Sequence, residues 1–149
     1  MGNFTDHEGD SEPIGQIWEK IYINTEQWQA EMEFLRDEFG FLHNLIGGYM
    51  VWLGKEEIMP QIQALVQRLN DLQQVRAELN QRVTKQMISL EELLNESFEG
   101  NQQQVTNEDA ALGKLLKGFI IDIRALKKEI HTVTKMVANS KKIKQLKKT

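Results

Sequence analysis

Residues 28–53 read WQAEMEFLRDEFGFLHNLIGGYMVWL, and in this run Trp28, Met32, Leu35, Phe39, Leu42, Ile46, Tyr49 and Leu53 recur at alternating intervals of four and three. At 3.6 residues per turn that spacing lays all eight side chains along one face of a helix. Carried backwards in the same phase, the seam meets Thr25, Ile21, Trp18 and Ile14, which predicts one helix over 13–53 with Pro13 in its first turn. One rival reading exists. Ile21-Tyr22-Ile23-Asn24-Thr25 is locally β-favouring, and Asn24 is a good cap, so a break near Asn24 would give four helices in place of three.

Two further seams answer the first. Ile58, Ile62, Leu65, Leu69, Leu72, Arg76, Leu79, Val83, Gln86, Leu90 and Leu93 keep the alternation across a helix predicted at 56–98, with Glu56, Glu57 and Pro60 suited to its first turn. The polar members Arg76 and Gln86 read as register-fixing positions. Glu99 to Val105, with Gly100 and three glutamines, reads as a loop, and Thr106 with Asp109 as a capping box opening a third helix at 107–145. Its seam is Leu112, Leu116, Phe119, Ile123, Leu126, Ile130, Val133 and Val137. The fold class is therefore all-α, an elongated antiparallel bundle of three long coiled-coil-like helices. A flexible acidic leader at 1–12 precedes a single domain at 13–145, and a lysine-rich tail occupies 141–149.

Gly40, Gly47 and Gly54 lie seven apart on the first helix, beside Gly48. Gly54 reads as a helix C-cap, and the interior glycines as points where a neighbouring helix comes close, with a hinge at Gly47-Gly48 as the alternative. A second apolar stripe, Phe34, Phe41, Leu45 and Trp52, is surplus to one seam and predicts self-association, most simply as a dimer.

Composition narrows the function. The 149 residues contain no cysteine, which excludes disulfides, thiolate zinc sites and thiol chemistry. The leader lacks the basic-then-apolar order of a signal peptide, and Asp6 stands where a myristoylation signal has Ser or Thr. The apolar run at 39–53 falls short of the roughly 20 residues a membrane span needs. Cytoplasmic location follows as the expectation. No phosphate-binding loop, zinc-protease, nucleophile-elbow or EF-hand pattern occurs. His7, His43 and His131 belong to no ligand motif, and no Glu-x-x-His pair is present. The expectation is a non-enzymatic interaction or scaffold protein with an unidentified protein partner and no cofactor or metal.

Charge is segregated. Residues 1–54 carry a net −8, 55–100 a net −3 and 101–149 a net +7, within a chain of net −4. The third helix is thus the cationic complement of the first. At its end Lys135, Lys141, Lys142, Lys144, Lys147 and Lys148 form the candidate contact for an anionic partner. They offer no arginine and no aromatic ring for stacking, which disfavours nucleic acid as that partner.

The residues Trp28, Glu31, Phe34, Leu35, Asp37, Glu38 and Leu42 make a W-x-x-E-x-x-F-L-x-D-E-x-x-x-L pattern. It resembles the start of small all-helical bacterial proteins of unknown function, a resemblance that implies a helical bundle and no activity. Length, acidity and long hairpin helices are also shared with helical export chaperones, and a small-molecule site near His43 and Gly47 is a third reading.

Overall fold

The structure, a computed structural model, describes residues 14–53, 58–96 and 102–148, with side chains over 16–48, 58–95 and 102–139. These residues form three α-helices packed against one another: α1 (Ile14–Leu53), α2 (Met59–Glu96) and α3 (Gln102–Lys148). The fold is an all-α three-helix bundle. The caps expected at Gly54, Glu56 and Glu57 lie outside the described residues.

α1 runs unbroken through Asn24, so three helices form and not four. Thr25 supplies the reason. It occupies its seam position at 0% exposure, and its hydroxyl donates to the Ile21 carbonyl at 2.7 Å. The polar atom of a β-branched residue is thereby satisfied inside the helix, which removes the local argument for a break. α2 begins at Met59, with Pro60 in its first turn and the Ile62 amide donating to the Ile58 carbonyl at 3.1 Å.

α3 corrects the sequence reading at its start. Residues 102–105 are helical, not loop, and Thr106 is no cap: its hydroxyl donates to the Gln102 carbonyl at 3.0 Å, one turn back. Burial explains the earlier start. Val105 is a core residue, and the buried Gln86 amide of α2 donates to the Val105 carbonyl at 2.8 Å. Val105 and Asp109 thus continue the four-three spacing backwards from Leu112, and tertiary burial overrides the polar glutamine run. At the other end α3 extends through Lys148, past the predicted 145.

The backbone divides into two compact units, and each helix contributes a segment to both. Unit 1 takes the chain up to Met32 together with Leu79–Lys114; unit 2 takes Glu33–Glu78 with the chain from Leu115 onward. In unit 1, Trp18, Ile21, Leu90, Leu93 and Val105 form a continuous core with Tyr22 packed against it. There α2 and α3 run antiparallel, since Arg82 pairs with Glu108 while Gln86 reaches back to Val105. In unit 2, Leu35, Phe39, Leu42 and Ile46 of α1 meet seams from Ile62, Leu65 and Leu69 of α2 and Leu116 to Val137 of α3, all buried. The Phe39 and Phe119 rings sit 6.4 Å apart between centroids and tilted by 35°, within the range of favourable aromatic pairs.

The glycine reading fails in part. A Cβ placed on Gly40, Gly47 or Gly48 would meet nothing within 4 Å, so no neighbouring helix approaches α1 there. All three face outward. Close approach occurs instead at Gly113, where an added Cβ would lie 3.8 Å from Cζ2 of Trp28.

Candidate interaction surface

The surface begins with two side chains that the core does not use. Phe34 and Phe41, one heptad apart on α1 in unit 2, are 62% and 59% exposed, and Leu45 beside them is half-buried. At about 100° per residue the three fall within roughly 40° of one another, so they make a single stripe. The side chain of Trp52, the fourth member read from the sequence, lies outside the described region. A ring left in water forgoes the roughly 1.5–3 kcal/mol that burial would contribute, and two on one stripe are what a docking face presents.

Glu38 defines one border of this stripe, lying four residues after Phe34 and three before Phe41. It forms an ion pair with Lys127 of α3 and is largely buried, which fixes α3 on the Glu38 side of α1. Beyond the stripe, on the other side, stand the exposed acids Glu33 and Asp37, the latter within 3.7 Å of Arg36. α3 carries the opposite sign. Lys117, Arg124, Lys128 and Lys135 are all exposed and, spaced by seven, four and seven, share one outer face. Lys135 is the one member of the candidate lysine cluster whose side chain is described. Lys141, Lys142, Lys144, Lys147 and Lys148 lie within α3 by their backbone, and their side chains are outside the described region.

Among the described residues, the charge complementarity read between the first and third helices takes the form of the contact of Glu38 with Lys127. Two pairs the sequence analysis missed join α2 to α3. Arg68 pairs with Glu129 in unit 2. In unit 1 Arg82 grips Glu108 through two parallel bonds, Nε to Oε2 at 3.0 Å and Nη2 to Oε1 at 2.5 Å, and this hydrogen bonding holds the guanidinium more firmly charged. The signal was present: on antiparallel helices, residues flanking facing seams meet.

Unit 1 also holds a cleft of about 410 Å³ between α2 and α3, edged by Lys85, Ser89, Gln104 and Asn107. Its inward polar groups are already engaged inside the protein, Arg82 with Glu108 and Gln86 with the Val105 carbonyl. The cleft does not coincide with the small-molecule site expected near His43 and Gly47, which lie on α1 in unit 2, half-buried and exposed respectively. Among the described residues no group of three or more His, Asp or Glu side chains is placed to hold a metal ion. Among the same residues no helix is long and apolar enough to cross a membrane.

The chain matches no protein-family model, no curated protein and no solved structure.

Proposed function

We propose that this protein is a non-enzymatic helical scaffold that works by self-association, docking a second copy along the Phe34, Phe41 and Leu45 stripe of α1. The observation that carries the reading is the exposure of both phenylalanines on one stripe, beside a seam that is otherwise buried. A second copy suits the face because the occupant of an aromatic stripe bordered by acids on one side and bases on the other must itself carry aromatic anchors, bases and acids, and this same face carries all three.

Light scattering across a concentration series tests it. The expected mass is twice the 17.3 kDa of the chain, falling to one chain mass in the Phe34→Ser/Phe41→Ser variant with helicity unchanged. A wild-type chain that stays monomeric throughout would overturn the reading.

A second reading rests on α3 remaining helical to Lys148, which places the terminal lysines on one continuous helix that could meet an anionic surface. Binding of this kind weakens steeply with salt and is lost when residues 141–149 are removed.

A further inference from the structure

The order of groups around α1 says which way round a second copy binds, an inference that rests on the self-association proposed above. Going round α1 in unit 2 from the core, the sequence of faces is Glu38, then the aromatic stripe about 20–60° further on, then Asp37 and Glu33 at about 100–140°. The Glu38–Lys127 pair places α3 at the near side of the stripe. The stripe is therefore bordered by a basic helix on one side and by acids on the other. Round α3, Arg124 and Lys117 stand about 60–80° beyond Lys127, on the side away from the core.

Two copies that meet along the stripe can be related in two ways. If the two α1 helices run antiparallel, the symmetry keeps each border on the same side: acids of one copy lie against acids of the other, and α3 against α3. If they run parallel, with the two-fold axis along the helices, the borders exchange. Each copy's Glu33 and Asp37 then face the other's α3. Levels along the helices match as well, because Glu38 and Phe39 of α1 are bracketed on α3 by Phe119 and Lys127, and a parallel two-fold preserves level. Arg124 falls inside that bracket and Lys117 just before it.

We infer that two copies pair through parallel α1 helices, with the Phe34 and Phe41 stripes in contact and Glu33 and Asp37 of each copy facing Lys117 and Arg124 of the other's α3. Aromatic burial supplies the attraction and the crossed charges choose the direction, since the antiparallel alternative sets like charges side by side.

Charge exchange between copies tests this directly. One variant carries Glu33→Lys and Asp37→Lys, and another carries Lys117→Glu and Arg124→Glu; all four positions are exposed, so helicity should be retained. Each variant alone repeats a like-charge contact on both sides of the two-fold, and its dimer should weaken by at least about tenfold. Mixed together, every crossed contact becomes attractive again, and a heterodimer of near wild-type affinity should form. Two reversed variants that stay dimeric alone, or a mixture that stays monomeric, would overturn the inference. Direction has its own readout in the otherwise wild-type chain. A spin label on Gly48→Cys, the only thiol present, fits within its own copy, where nothing lies within 4 Å of an added Cβ, and Gly48 follows Leu45, the last residue of the described stripe. Parallel pairing brings the two labels to about the distance between packed helices, roughly 10 Å, whereas antiparallel pairing centred on the stripe separates them by about 25 Å. The longer distance overturns the inference. Dissociation of the Phe34→Ser/Phe41→Ser variant without rescue in the charge mixture would leave self-association standing and remove only its direction.

Discussion

Unit 1 and unit 2 are built on the same heptad spacing and fill it differently. Unit 1 places Thr25, Gln86 and Asp109 at seam positions and ties the first two into hydrogen bonds with backbone carbonyls. Unit 2 keeps its seams nearly all apolar, adds the Phe39–Phe119 pair, and leaves two further phenylalanines outside. A buried amide bonded to one particular carbonyl rejects a shifted register, because the shift would strand a desolvated donor. An apolar seam contributes more stability and less discrimination. Within unit 1 the polar seam positions therefore fix which residues face which, while unit 2 relies on its apolar seams and carries the exposed Phe34 and Phe41.

The largest expected effect tests the strength of unit 2. Phe39→Ala removes a side chain that is 1% exposed and leaves Phe119 without its ring partner, and should cost about 3–5 kcal/mol in denaturant unfolding. A loss below about 1 kcal/mol would mean that the unit 2 core is looser than its burial implies. Next comes Gln86→Ala, which deletes the 2.8 Å bond to Val105 and opens space in unit 1. About 2 kcal/mol should be lost, with amide exchange rising first around Val105.

Asp109 runs in the opposite direction. Its Oδ1 is buried without a hydrogen-bond partner, and burial raises the carboxyl's pKa. The folded chain thus holds this proton to higher pH than the unfolded chain does, so the group favours folding in acid and that contribution is lost as pH rises through the raised value. Asp109→Leu should stabilise the protein by about 1–2 kcal/mol at pH 7, and unfolding repeated in acid should show the gain shrinking. If the substitution destabilises at pH 7, the carboxylate has a structural role in unit 1 after all.

The smallest effect returns to unit 2. With nothing near their Cβ positions, Gly40→Ala and Gly47→Ala should each raise stability by up to about 1 kcal/mol through helix propensity alone. Thermal melting checks this, and a loss would revive close packing at these sites.

Fold class was legible because the apolar seams carry it. From Met32 to Ile46 on α1 and from Leu112 to Val137 on α3, each seam side chain named from spacing is buried. Local chemistry misled where tertiary contacts outweighed it. Thr106 looks like a cap, yet Val105 has a core site to fill and a donor in Gln86, and the helix starts earlier. The heptad spacing of Gly40 and Gly47 suggested a packing stripe, but the interval alone does not say which side of the helix it marks, and it marks the outer one. For the candidate surface, the stripe of Phe34, Phe41 and Leu45 was readable as apolar surplus. Its borders were not, because they depend on Glu38 reaching Lys127, a contact between residues far apart in the chain.

Both units are discontinuous in the gene. Each is stitched from separate stretches, broken at Met32, at Leu79 and after Lys114, so no single start or stop codon isolates either one. A frameshift or early stop in the coding sequence of α3 strips residues from unit 2 before it touches unit 1, and on the ribosome unit 1 gains its last stretch while the final one of unit 2 is still to be made. The order of synthesis therefore presents the last stretch of unit 1 before that of unit 2, which leaves the exposed phenylalanines without their basic neighbour until the later part of α3 is made.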